Sequence, residues 1–475
     1  MILVNRGNPD NTDESSRGHT LDLAHRLADY SLSLKLKDVD DATRHQAKGR
    51  IIDALGCAMG AFGVEPLTRV RKVASRVKSS RSSTLLGTRE RTSPDLAAFV
   101  NGFMVRYFDY NDTYLSKEPA HPSDNISACL AVAEAEGSGG EELLASIVVA
   151  YELQCRLCDA AELRRRGWDH VNYGLVSTAL ASSRLMGSGV EMAAQSVNIA
   201  LNSHIAMRQV RAGELSDWKG ASFANAARNG VFAASLAREG LNGPAPIFEG
   251  EMGFFRQVSG PFRLNTASFG GSGRRFRLTD TYIKYWPAEY HSQSAVWAAL
   301  DLRSRVSEIT EIKSILIETH EAGYSILGKD REKWRPKTKE TADHSLPFIV
   351  ATALVEGSVT NESYTRARLR SRELLDIVDK TEVKEDPRLT RLYPARGIAN
   401  RVTVTTRDGR RLSSQVVIPK GHPLNPMRDD EVEEKFARLT RKTLSASRRK
   451  KVLDVLWNIE EANEIGGIVS LLAIR

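Results

Sequence analysis

Gly140–Leu163, GEELLASIVVAYELQCRLCDAAEL, is the stretch whose reading decides the fold class. Apolar residues at Leu144, Ile147, Val148 and Tyr151 follow the helical spacing of three and four, over a run too long for an ordinary strand. The same pattern extends outward on both sides. LDLAHRLADYSLSL from Leu21 and DDATRHQAKGRIIDALGCAMGAFG from Asp40 precede it, and Ser93-Pro94-Asp95 marks a further helix start. NISACLAVAEAEG, GLVSTALASSRLMG, EMAAQSVNIALNSHIA and SFANAARNGVFAASLAREG continue it to about residue 240. Their Ala, Gly and Ser let helices approach closely.

The character changes near residue 270, where FGGSGRRFRLTDTYIKYW opens with a Gly-rich linker. Beyond it, EIKSILIETH alternates as a strand, SLPFIVATALVEG reads as a helix, and RVTVTTRDGRRLSSQVVI reads as a hairpin turning at Asp408-Gly409. The tail from about 429 is helical again. The expectation is a mainly α protein: a helical domain over 19–272 and 425–475, an α+β domain over 273–424, and a disordered leader over 1–18. In that scheme the C-terminal helices return to the helical domain.

The charge balance is +8, but the basic residues are scattered, so nucleic acid is not expected as a partner. No apolar run approaches the ~18 residues of a membrane span, and the N-terminus lacks a signal-peptide core; a cytoplasmic setting is expected. Cys57, Cys129, Cys155 and Cys158 are the four cysteines. Cys155 and Cys158 form C-x-x-C inside a helix with no second pair, which suits core thiols and neither a zinc nor an iron–sulfur site. GxGxxG and GxxxxGK[ST] are both absent. No metal and no cofactor are expected.

The chemistry concentrates at Phe108–Asn125, FDYNDTYLSKEPAHPSDN, which holds three Asp, one Glu, one His and one Thr between two apolar runs. A plainer account makes this a polar loop with Ser123 and Asp124 as helix caps. It leaves Asp109 unexplained at the end of an apolar run, so Asp109, Thr113 and His121 are candidate site residues. His170, His291, His320 and His344 also stand in unusual settings, whereas His25, His45, His204 and His422 do not. Lys219 and Lys284 lie beside Trp or Tyr next to apolar runs, where an ammonium wants an anion. Arg208 and Arg211 are placed to grip a carboxylate.

FDYNDTYL with HPSDN, then GWDH, WKGASFANAARNGVFAA, KYWPAEYHSQSAV, THEAGYSI and DHSLPFIVA resemble, in this order, the MmgE/PrpD superfamily and its 2-methylcitrate dehydratases. The likeness runs from about residue 20 to 470. It implies a homodimer with a site in the cleft between two domains, built from Asp109, Thr113, His121, His170, Lys219 and Lys284, with Tyr324 as a looser candidate. It also implies iron–sulfur-independent dehydration of 2-methylcitrate to 2-methylaconitate; because a methyl group is worth only ~1–3 kcal/mol of discrimination, citrate is expected as a further substrate.

On this reading Lys219, Lys284 and Arg208 or Arg211 hold the carboxylates of a small anionic tricarboxylate. His121 and His170 form the acid–base pair, Asp109 orients an imidazole, and Thr113, His291, Tyr324 and His344 bind substrate. The alternatives within the superfamily are a cis-aconitate decarboxylase and a dicarboxylate epimerase. Outside it stand a catalytically silent helical binding protein and a metal-dependent hydro-lyase, for which no H-E-x-x-H spacing speaks.

Overall fold

Gly140–Ala160 forms a helix buried along nearly its whole length, and its first residue explains how the chain's end joins the helical layer. A Cβ on Gly140 would lie 1.6 Å from the Ile459 carbonyl oxygen, so only glycine admits that crossing. Gly140 N–H donates to the Ala462 carbonyl at 2.8 Å. A computed structural model describes residues 21–474; the leader expected over 1–18 lies outside them.

The helices Leu23–Ser33, Asp41–Gly60, Glu65–Ala74, Pro94–Arg106, Ile126–Glu136, Asn172–Leu185, Val190–Ser203 and Trp218–Arg238 join Gly140–Ala160 in the helical lobe. Close approach decides their packing: a Cβ at Gly230 would meet Thr178 Oγ1 at 2.1 Å, which brings Trp218–Arg238 against Asn172–Leu185. The tail helices Asp429–Thr440 and Ala446–Trp457 lay Phe436, Leu439, Val452 and Leu456 into this same core. Each such burial stabilises the fold by roughly 1.5–3 kcal/mol. The C-terminal helices therefore return to the helical lobe. Phe276, Leu278 and Ile283 also pack in this core.

A second core begins at Ala288 and holds Ile315, Ile317, Phe348, Leu374 and Val402. Its four-stranded sheet runs Thr381–Glu385, Ile312–Thr319, Asn400–Thr406, Arg411–Val416. The first pair is parallel and the other two are antiparallel. The hairpin turns at Gly409, whose φ of 87° is the left-handed conformation its position was expected to need. Leu346–Glu356 packs on this core, started by Ser345 and ended at Gly357. The strand Thr381–Glu385 was not anticipated; at five residues it carries too little alternation to separate from the helix before it. Helix makes up 57% and strand 9% of the described residues, so the protein is mainly α with a smaller α+β part.

All four cysteines are buried and free, and burial pushes the Cys155 and Cys158 thiols well above their ordinary range. Among the described residues no single helix is long and apolar enough to cross a membrane.

Candidate active site

The Pro94–Arg106 helix ends in the loop that carries the site. Arg106, in its last turn, pairs with Asp109 three residues on. Asp109 takes φ of +50°, a strained backbone for a residue with a Cβ. That turn aims both its carbonyl and its carboxylate at one cation. Lys284 Nζ donates to the Asp109 carbonyl at 2.7 Å and to Oδ1 at 2.8 Å. The loop is pinned to the Lys284 segment by paired backbone bonds between Thr113 and Tyr282, each 2.8 Å.

Ser123 and Asp124 do not cap the following helix with their side chains. Asn111 Nδ2 donates to both, at 2.9 and 2.7 Å, and the Ser123 N–H donates to Asp112 Oδ1 at 2.9 Å. Those polar groups knit the loop.

Lys219 opens the Trp218–Arg238 helix and reaches the other lobe. Its Nζ lies 3.0 Å from Asp343 Oδ1, 3.1 Å from His344 Nδ1 and 3.6 Å from Asp109 Oδ2. Asp109, Asp343 and His344 bring donor atoms within 4.8 Å of one another, a spacing that suits a cation. The ammonium of Lys219 sits among those atoms. Lys339 adds a second ammonium 2.8 Å from Asp343 Oδ2.

Burial alone would raise both carboxyls. Arg106, Lys284 and Lys219 nevertheless hold Asp109 well below the usual carboxylate range, and Lys219 and Lys339 do the same for Asp343. The carboxylates stay ionised.

The histidines differ in what they leave free. His121 donates from Nδ1 to the Asp112 carbonyl at 2.7 Å, beside Thr113 Oγ1 at 3.3 Å, and accepts at Nε2 from Arg106 at 2.8 Å. Burial, with Arg106 and Lys284, holds it well below the ordinary imidazole range. His170 places its ring centroid 5.7 Å from that of His121 and its Nδ1 2.9 Å from Asp169 Oδ1. Arg211 Nε lies 3.3 Å from the same oxygen. Arg208 is half-buried in the field of Glu118 and Asp169.

His291 sits one layer away. Its Nδ1 is 2.6 Å from Glu289 Oε1 and its Nε2 is 3.1 Å from the Tyr393 hydroxyl. The Glu289 N–H donates to the Asp343 carbonyl at 2.9 Å, which joins this pair to the cluster.

Asp109, Thr113, His121, His170, Arg211, Lys219, Lys284 and His344 therefore meet where the lobes face each other, with Arg208 and His291 on the margin. Tyr324 packs against the α+β core and makes none of the cluster's hydrogen bonds. Asp109 engages lysines and an arginine; its nearest imidazole nitrogen is His344 Nδ1 at 3.7 Å.

Sequence reading missed Arg106, Asp169, Glu289, Lys333, Lys339, Asp343 and Tyr393. Asp169 and Asp343 carried a signal, since each immediately precedes a candidate histidine. Arg106 stood three residues before Asp109, a spacing that pairs on a helix. Lys333 and Lys339 in REKWRPKTKE look like ordinary surface lysines, yet Lys333 is only 5% exposed. Among the described residues its ammonium has no hydrogen-bond or ion-pair partner, although it lies in the field of Lys219, Asp343 and Glu289.

The MmgE/PrpD N-terminal domain matches residues 25–267 and the MmgE/PrpD C-terminal domain matches residues 286–460. The chain is 30% identical to a protein named 2-methylcitrate dehydratase from Cupriavidus necator, over 81% of this chain and 84% of that one. It is 27% identical to a protein of the same name from Escherichia coli (strain K12), over 85% of each chain. A 24% identity links it to a protein named cis-aconitate decarboxylase-like protein oryM from Aspergillus oryzae, over 97% of this chain and 99% of that one. With both domains matched in order over most of its length, the chain belongs to the MmgE/PrpD family.

Proposed function

We propose that this chain is a hydro-lyase that removes water from 2-methylcitrate to give 2-methylaconitate, and that it accepts citrate as well. The observation that carries the reading is Lys219, whose ammonium contacts Asp109 of one lobe and the Asp343–His344 pair of the other. Around it stand Arg106, Arg211, Lys284 and Lys339, cations that contact Asp109, Asp169 and Asp343. Cations gathered at one place suit a polyanion, because positive groups aimed at developing negative charge usually contribute most to such catalysis.

Removal of a proton beside a carboxylate builds charge on that carboxylate. Lys219, Lys284 and Arg211 are in our reading the groups that stabilise it. Thr113 hydrogen-bonds the substrate, and an imidazole gives a proton to the departing hydroxyl. Supporting the substrate assignment are the relatives named 2-methylcitrate dehydratase. The oryM-like relative favours one second reading, decarboxylation of cis-aconitate, which would use the same cationic cleft. We also take the working form to be a cytoplasmic homodimer; sedimentation of the purified chain tests the assembly.

The deciding experiment incubates the purified protein, with EDTA present, with 2-methylcitrate, citrate and cis-aconitate, and follows products by NMR. An unsaturated tricarboxylate from 2-methylcitrate is the expected result. Itaconate with carbon dioxide would establish the second reading instead. No turnover of any of the three would end both.

A further inference from the structure

Each lobe contributes an aspartate and the histidine that follows it, assembled on one plan. In the helical lobe Asp169 Oδ1 faces His170 Nδ1 at 2.9 Å, with Arg211 and Ser222 anchoring the carboxylate at 3.3 and 3.1 Å. In the α+β lobe Asp343 Oδ1 faces His344 Nδ1 at 2.6 Å, with Lys219 and Lys339 anchoring it at 3.0 and 2.8 Å. Asp343 Oδ1 lies closer to His344 Nδ1 than the Lys219 ammonium does at 3.1 Å, so Nδ1–H donates to the carboxylate and the Nε2 lone pair points outward; Asp169 stands at ion-pair distance from His170 Nδ1 and favours the same tautomer.

Both of those lone pairs are free. His170 Nε2 is buried and has no hydrogen-bond partner. Among the described residues His344 Nε2 has none either, and its side chain keeps 14% exposure. His121 is built differently, since both its nitrogens are engaged within the protein.

Elimination of water needs two such groups, one for the proton on carbon and one for the hydroxyl. Resting on the hydro-lyase reading above, we propose that His344 is the base that takes the proton from carbon, with Asp343 as its positioning residue, and that His170 is the acid. His121 then serves to position Arg106. The C–H electron pair becomes the new carbon–carbon double bond as the C–O bond breaks. The hydroxyl leaves with the proton from His170 Nε2 as water; before the next turnover His344 gives its proton to solvent and His170 takes one from solvent.

Burial lowers both imidazoles. With the ammonium of Lys219 beside the ring, His344 is pushed down to about 4, so it is unprotonated and ready to accept. Burial and Arg211 lower His170 against the pull of Asp169, and a bound polyanion restores the imidazolium that the acid role requires.

The test uses His344→Gln and His344→Ala in the full chain. Gln retains a donor for Asp343, which guards the fold, and the melting midpoint of each variant is measured first. Turnover of 2-methylcitrate should fall at least ~10²-fold in both, as loss of a general base does. Citrate affinity should stay within about threefold, because no direct carboxylate contact is removed. Added imidazole should restore part of the His344→Ala rate. With substrate deuterated at the carbon that loses its proton, His344→Gln should show a larger primary isotope effect than wild type. Turnover within about tenfold of wild type would overturn the proposal. Parallel loss of citrate binding would do the same, and so would absence of imidazole rescue. Those three outcomes leave the hydro-lyase reading standing, whereas a wild-type protein inert toward 2-methylcitrate overturns both.

Discussion

Lys435 donates from Nζ to the carbonyl of Lys284 at 2.8 Å, so a helix near the end of the chain fixes the segment that carries a proposed catalytic lysine. The same ammonium donates to the Tyr110 carbonyl at 2.8 Å, lies 2.6 Å from Asp53 Oδ1 and sits 3.7 Å over the Tyr110 ring. Tyr110 is the neighbour of Asp109. One buried cation thereby ties the strained loop, the Lys284 segment and the Asp41–Gly60 helix together.

Lys435→Met should therefore cost both stability and turnover. Asp53 is 1% exposed, and burial already pushes its carboxyl up against the pull of Lys435. Breaking a buried pair by removing one partner typically costs ~3–5 kcal/mol. Denaturant unfolding would measure this. A change under about 1 kcal/mol, the size of an ordinary surface effect, would show that Lys435 does not bear this load.

Lys284→Ala addresses the catalytic proposal directly. The variant removes the ammonium that both Asp109 acceptors hold, and turnover of 2-methylcitrate should drop by ~10² or more, as for other charge stabilisers. Because Asp109 keeps Arg106, the fold should survive, and circular dichroism would check that. Near-wild-type turnover would remove Lys284 from the mechanism.

The mainly α fold was legible because helix period, the Asp408-Gly409 turn and the return of helix after 429 are local signals. Candidate site residues stood out only where chemistry departed from its local setting. Asp109 stood at the end of an apolar run, and Lys219 and Lys284 stood in aromatic company. Lys339, Lys333 and Lys435 lay in stretches that read as solvated, since nothing local says which face a tertiary contact will bury. The roles of the histidines were hidden for a related reason. Whether a ring nitrogen is free depends on partners such as Arg106 and the Asp112 carbonyl, and sequence spacing does not report them.

Asp124 offers a pH-dependent test of the loop's interior. Burial pushes its carboxyl up to about 7 despite Arg106 Nε at 3.9 Å; Asp112 adds to the rise, while Asn111 and Arg211 oppose it. Its folded pKa exceeds the ~3.9 of an unfolded Asp. The stabilisation is therefore complete below that value and is lost as pH rises through about 7. Asp124→Asn mimics the protonated form. The fall in melting midpoint between pH 6 and pH 9 should be smaller in Asp124→Asn than in wild type. Some fall should persist, because Glu118 is likewise raised to about 7 by burial. Equal falls in the two proteins would show that Asp124 is ionised throughout.

Lys333 gives the sharpest separation of binding from folding. Burial, followed by Lys219, lowers its pKa, and among the described residues no carboxylate pairs with its ammonium. A partly desolvated cation without a partner is a cost to the apoprotein that a substrate carboxylate would offset on binding. We therefore expect Lys333→Met to leave thermal stability unchanged or slightly higher. The dissociation constant for citrate should rise by ~10-fold or more, the loss expected for one charge-assisted hydrogen bond. Isothermal titration calorimetry and a melting curve on the same preparation measure the two quantities. If the variant melts lower and binds citrate as tightly as wild type, Lys333 supports the fold and holds no substrate.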